Sequence, residues 1–265
     1  AIFILRDTRK DIGVCIFFLI TFIFFHIFGS SYEEKFNKAD KKIYDYKVRV
    51  IGSNISLDRF YSNVDPVSVI EDLIKISNLD ESEKMILIWP EGILPDILQE
   101  ELIEYNWLFD KKFNENHLLA LGIHSQSINN GFIDYYNSFS IYDHKLNLLD
   151  SYNKINLVPF GEFLPFENIL RSVGLKSITN NYQSFSSGDE RNIIQIKQQN
   201  FSLKILPLIC YEIIYSGKIS DNSNFDLIIN ISEDGWFGQS IGPKQHFVHS
   251  IFRAIESGKY VLRSA

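Results

Sequence analysis

The sequence predicts an α/β domain with a buried sheet, preceded by a single helix long enough to cross a membrane. Three observations carry this. Short apolar strand-like runs alternate with helical stretches from Tyr46 onward. Seventeen consecutive residues, Ile12 to Phe28, contain no Asp, Glu, Lys or Arg. The stretch Leu203 to Ile214, LKILPLICYEII, reads as a core strand that stops at Cys210 and then turns polar.

Composition bounds the rest. A chain of 265 residues, 45% hydrophobic and 14% aromatic, suits one globular domain of roughly 200 to 250 residues plus an extra segment. The net charge is −7 and no dense Lys/Arg cluster occurs, which argues against nucleic acid as a partner. The two cysteines, Cys15 and Cys210, lie far apart, and no disulfide framework is expected. The chain lacks an initiator Met and ends within a strand-like VLRSA, so both ends are expected to be cut from a longer protein.

Taken in order, Ile12–Phe28 is flanked by Arg6, Arg9, Lys10 and Asp11 before and Glu33, Glu34 and Lys35 after. At about 1.5 Å per residue it nearly crosses a hydrocarbon core of roughly 30 Å, the reading of a transmembrane helix in a membrane segment 1–29. A signal peptide is the rival, since the basic lead-in and Gly29, Ser30 and Ser31 imitate one, but the apolar run exceeds the usual core of about 7 to 15 residues. Charge counting does not orient the helix, because a long following domain translocates regardless of it. Residues 30–45 are charged and polar, a linker by composition, and 46–265 form the folded domain.

Within that domain Tyr46–Ser53 alternates as a first strand, and Asp65-Pro66 opens a helix to about Ser77. Met85–Trp89 is a short strand ending at Pro90-Glu91; a helix is expected from about Ile97 to Phe113. A strand follows at Leu118–His124, then a hairpin of Phe132–Tyr142 and Leu146–Ser151 turned at Asp143–Lys145. Asn168–Asp189 is loop-like by composition and reads as a covering, lid-like segment. Strands return at Ile193–Ile196, Leu203–Ile209 and Phe225–Ile231, then a helix at Pro243–Gly258 and a last strand from Tyr260.

A lone cysteine is most often a small buried hydrophobe. Cys210 differs in its company: Trp89-Pro90-Glu91 and Tyr152-Asn153-Lys154 also place charged residues at strand ends. A nucleophilic thiol needs a group to take its proton, and Glu91 in apolar surroundings suits that role. A tetrahedral intermediate needs positive charge at its oxyanion, for which Lys154 is the candidate. Singly, each charge reads as a surface residue. Their chain order and shared placement make the trio specific.

The three motifs resemble the Glu, Lys, Cys triad of the nitrilase (carbon-nitrogen hydrolase) superfamily. Within it, Leu157-Val158-Pro159-Phe160-Gly161-Glu162 and Asp234-Gly235-Trp236-Phe237-Gly238 resemble the apolipoprotein N-acyltransferase family. So do Ile241-Gly242-Pro243, Gln245-His246, Arg253-Ala254-Ile255-Glu256 and Leu262-Arg263-Ser264. The resemblance covers about Lys47 to the end. It implies an α-β-β-α sandwich, truncated here at its C-terminus and carried on the outer, periplasmic side of the bacterial cytoplasmic (inner) membrane in a multi-pass protein. It also implies an acyltransferase: Glu91 deprotonates Cys210, which takes an acyl chain from a phospholipid as a thioester, and Lys154 stabilises the oxyanion. The acceptor is the α-amino group of a diacylglyceryl-modified cysteine on an apolipoprotein. Glu162 would orient the lysine or the amine, Tyr211 and Glu212 flank the nucleophile, and Asn137 matches a family asparagine near the site. Glu233 departs from the pattern, standing where asparagine is expected.

The resemblance implies no cofactor. His246 and His249 stand at helical spacing without a convincing third ligand, so no metal is expected. Trp236 and Phe237 read either as core aromatics or as the lining of an acyl groove, and Phe160, Phe163 and Phe166 as part of such a wall or as residues dipping into lipid. Two other functions stay open: a nitrilase-superfamily amidase acting on a small C–N substrate, which the triad alone would serve, and a non-catalytic binding module.

Overall fold

The structure is a computed structural model that describes residues 8–39, 43–52, 54–62, 64–129, 131–166, 184–198, 201–217 and 224–265. The chain divides into two compact units, Ala1–Tyr44 and Asp45–Ala265. The first is one helix, α1 (Thr8–Lys38). Its large apolar side chains stand exposed all round, Phe17 at 64% and Phe22 at 71% among them. The hydroxyls of Thr21 and Ser31 donate to the Phe17 and Phe28 carbonyls, so these polar groups are satisfied within the helix. The helix does not stop near Phe28 as expected from composition. It runs ten residues further, through much of the stretch read as a linker, because no proline interrupts it and local pairs support it. Phe28 packs on Tyr32 at 4.9 Å, and Lys38 pairs with Glu34 one turn back.

The second unit holds two sheets. The first, in order β1 (Lys47–Val50), β2 (Met85–Ile88), β3 (His117–Asn129), β4 (Phe132–Tyr142), β5 (Leu148–Asn153), is parallel between β1, β2 and β3 and antiparallel onward. Helix α2 (Pro66–Ser77) starts where the Asp65 carboxylate accepts the Val67 N–H at 3.1 Å, with Pro66 in the first turn. Its Val69, Ile70 and Leu73 pack with Met85, Leu87 and Trp89 in one core. Ile86 and Ile88, equally buried, alternate with them and so belong to the opposite face of the sheet.

That opposite face meets the second sheet, β6 (Ile194–Gln198), β7 (Phe201–Ile209), β8 (Leu227–Ile231), β9 (Tyr260–Ser264). The Ser264 hydroxyl of β9 donates to the Ile51 carbonyl at 2.6 Å, joining the sheets at one edge. Among the described residues, the outer side of the second sheet carries α4 (Gly242–Ser257), which ends on the left-handed Gly258. The result is the α-β-β-α layering of the nitrilase fold.

The helix expected over Ile97–Phe113 is not formed. Leu98 bridges to β3, the Gln99 N–H donates to the His124 carbonyl at 2.7 Å, and Glu101 accepts the Leu98 N–H. At Leu98 and Gln99 the backbone groups that would start a helix go instead to the Glu101 side chain and to β3. Only a 3-10 turn at Leu102–Tyr105 and the single-turn helix α3 (Asn106–Phe109) remain.

Candidate active site

Cys210 sits at the C-terminal end of β7, where φ turns to +52° and a 3-10 turn, Cys210–Ile214, begins. A non-glycine residue in that region is held there by its surroundings. Glu212 supplies much of the hold. One of its carboxylate oxygens accepts the Ile209 N–H at 2.9 Å; the other accepts the N–H groups of Ile155 and Asn156 at 3.1 Å and the Tyr152 hydroxyl at 2.8 Å. The acid beside the cysteine thus ties the turn to the segment that follows Lys154.

Lys154 follows β5 and is 1% exposed. Its ammonium lies 2.9 Å from Glu162 and 3.3 Å from Glu91. Burial opposes the cation, yet the Glu91 and then the Glu162 carboxylate outweigh burial and hold the pKa well above that of an ordinary lysine. The Asn137 Nδ2 donates to both carboxylates at 2.7 Å, and the Val158 N–H donates to the second oxygen of Glu162 at 2.8 Å. Glu91, Lys154, Glu162 and Asn137 are one hydrogen-bonded cluster. Burial pushes the Cys210 thiol up to about 12, the Glu91 carboxylate adding to the push while Lys154 and a hydrogen bond with Ser232 oppose it. Burial thus favours the protonated thiol, and the charges of Glu91 and Lys154 act on it in opposite directions.

The Tyr211 hydroxyl donates to the Leu157 carbonyl at 2.9 Å, and the Lys154 ammonium lies over its ring, 5.8 Å from the ring centre. Trp236 and Phe237 occupy a 3-10 turn after β8 and are 51% and 39% exposed; Trp236 packs against Phe60 at 4.9 Å. Phe160 and Phe166 are also exposed. Most of the expected covering loop Asn168–Asp189, namely residues 168–183, lies outside the described residues. Its last residues are anchored: Phe185 N–H donates to the Glu162 carbonyl and Gly188 N–H to the Lys154 carbonyl, both at 2.9 Å.

Several residues here carry no motif of their own. Glu233 Oε2 forms a buried ion pair with Arg59, its other oxygen accepts the Gly235 N–H, and its backbone N–H donates to Glu91 Oε2 at 3.0 Å. The unexpected glutamate is therefore matched by an arginine 174 positions earlier, a pairing that no local pattern reveals. Asn230 and His246 both reach the Cys210 carbonyl. His246 carries part of a motif that sequence reading quoted; its contact with the nucleophile's backbone was not legible there.

With this geometry in hand, the chain matches the family model described as Carbon-nitrogen hydrolase over residues 110–265. It is 33% identical over 182 residues to an apolipoprotein N-acyltransferase of Rhizobium rhizogenes, covering 68% of this chain and 34% of that protein. A second, from Allorhizobium ampelinum, is 31% identical over 225 residues, covering 82% and 42%. The chain thus spans less than half the length of these relatives. Among solved structures, a mutant of the Nesterenkonia AN1 amidase from the nitrilase superfamily superposes with a TM-score of 0.49 at 13% identity, over 83% of this chain and 74% of that one.

Proposed function

The chain belongs to the carbon-nitrogen hydrolase family, and from that premise we propose that it is the catalytic part of an apolipoprotein N-acyltransferase. The observation that carries the proposal is the buried Lys154 held between the Glu91 and Glu162 carboxylates, in the same unit as a buried Cys210 at the end of β7. Identity of about one third to named acyltransferases and the apolar helix α1 support the acyl-transfer and membrane parts of the reading.

In the first step Glu91 takes the thiol proton as Sγ attacks the ester carbonyl of a phospholipid. The oxyanion receives an N–H of Lys154. Collapse breaks the ester C–O bond, and Glu91 returns the proton to the departing glycerol oxygen, leaving a thioester and a lysophospholipid. In the second step the α-amino group of a diacylglyceryl-cysteine attacks the thioester and Glu91 takes its proton; collapse forms the amide, breaks the C–S bond, and Glu91 returns the proton to Cys210 Sγ. Glu162 and Asn137 position the ammonium and the base. In cells the protein sits in the bacterial cytoplasmic membrane with this unit on the outer side.

The test is intact mass of the full-length protein after incubation with phosphatidylethanolamine. Wild type gains one acyl chain and Cys210→Ala gains none. If folded wild type gains nothing and turns over simple amides without lipid, the amidase reading replaces this one.

A further inference from the structure

The family motifs Asp234, His246 and Arg263 take no part in the reaction just described, yet the structure brings them together behind the nucleophile. The Cys210 carbonyl accepts two hydrogen bonds, from His246 Nε2 at 3.0 Å and from Asn230 Nδ2 at 3.2 Å. A carbonyl only accepts, so Nε2 carries a proton. His246 Nδ1 lies 3.0 Å from Asp234 Oδ1, and Asp234 takes Arg263 Nη2 on both oxygens at 2.6 and 2.7 Å. Arg263 Nη1 donates to Asn230 Oδ1, which closes the circuit at the carbonyl where it began. The Ser232 hydroxyl adds a bond to Asp234 at 2.9 Å. Burial opposes the Asp234 charge, but His246 and Arg263 outweigh it and hold its pKa down at about 2, so the ring keeps its anion.

We propose that this closed ring is the positioning device of the nucleophile, with His246 its principal member. The reasoning is local. At φ +52° Cys210 is in a conformation that a side chain-bearing residue adopts only when its neighbours impose it. Rotating the peptide back toward an ordinary strand would swing the carbonyl away from both donors. Loss of either donor leaves the other, but loss of His246 removes the shorter of the two bonds and leaves Asp234 and Arg263 tied to the cysteine only through Asn230. The ring is assembled from β8, the turn after it, α4 and β9, which is why residues so far apart in sequence act on one carbonyl. Their bonds run to one another and to the Cys210 carbonyl, so their effect should fall on the rate of attack and spare donor binding.

This rests on Cys210 being the nucleophile, and two readouts on the full-length protein keep the claims separate. Alkylation of Cys210 by iodoacetamide needs no lipid substrate; acyl-enzyme formation from phosphatidylethanolamine does. His246→Leu is expected to lower kcat for acylation ~100-fold with KM within ~2-fold, since misplacing a reacting group by about an ångström costs that much. The alkylation rate of Cys210 should fall in parallel. His246→Gln, which keeps a donor near the Nε2 position, should recover most of both. If His246→Leu does not fold, Asp234→Asn decides, with the same kcat-only pattern at smaller size. A rise in KM at constant kcat, equal losses in the leucine and glutamine variants, or Asp234→Asn at wild-type kcat would overturn the proposal. Normal ring behaviour in alkylation with no acyl transfer by wild type would instead remove the acyltransferase reading and leave the ring standing.

Discussion

At the scale of single residues the site is an arrangement of few charges in little water. Lys154 is buried and faces two carboxylates, Glu91 and Glu162, in one cluster. His124 lies beneath it, opposite Asn137 across the β3–β4 ladder. Burial pushes its pKa down to about 4 from the usual 6.5, so the native ring is neutral at neutral pH. The unfolded chain takes up this proton first as pH falls. Stability from His124 is therefore complete above about pH 6.5 and is lost progressively down to about pH 4, a change on the order of 3 kcal/mol. Urea midpoints at pH 7 and 4.5 should fall further apart in wild type than in His124→Gln; equal falls would exclude the effect. None of this is visible in sequence, where His124 is one more residue in an apolar strand. Glu91, Lys154, Cys210, Glu162 and Asn137 could be named from sequence because each sits in a short motif. Arg59 could not, since its partner Glu233 is defined only by folding.

Among the elements, β3 does most to set the geometry, and its middle is Gly122. A Cβ there would stand 2.5 Å from the Glu91 Cα and 2.8 Å from the Ile231 side chain of the other sheet. The strand can lie against the base only because this position is bare. Gly122→Ala should force the Glu91 segment outward, costing about 1–3 kcal/mol in stability and lowering acylation kcat ~10- to 100-fold. Thermal unfolding and single-turnover acylation would separate the two effects, and near-normal kcat in a merely destabilised variant would count against the argument. Element boundaries were legible where the pattern is self-contained. Apolar runs mark β2, β7 and β8, while Asp65-Pro66 and Gly258 mark the start of α2 and the end of α4. The stretch Ile97–Phe113 misleads because its buried Leu102, Leu108, Phe109 and Phe113 have helical spacing, whereas its start at Leu98 and Gln99 pairs with β3 and the rest folds into separate short turns.

For the molecule as a whole, α1 decides whether the catalytic unit works at a membrane. Thirty-one helical residues reach about 46 Å, enough for a hydrocarbon core of roughly 30 Å with a polar turn or two beyond it. A helix exposing phenylalanine and isoleucine on every side of itself is suited to lipid rather than to water. The sequence left a cleavable signal as the rival because Gly29, Ser30 and Ser31 follow the apolar run. In the structure these residues lie inside a continuous helix that carries on to Lys38, and a helical backbone presents no extended strand to a protease. The mature protein should therefore retain α1. N-terminal mass of the purified full-length protein should include residues 8–38, and the protein should stay in the membrane pellet after alkaline carbonate extraction. A mature N-terminus near Ser31, with the catalytic unit released to the supernatant, would show that α1 is a signal, and the acyl donor would then have to reach Cys210 without an anchor in this segment.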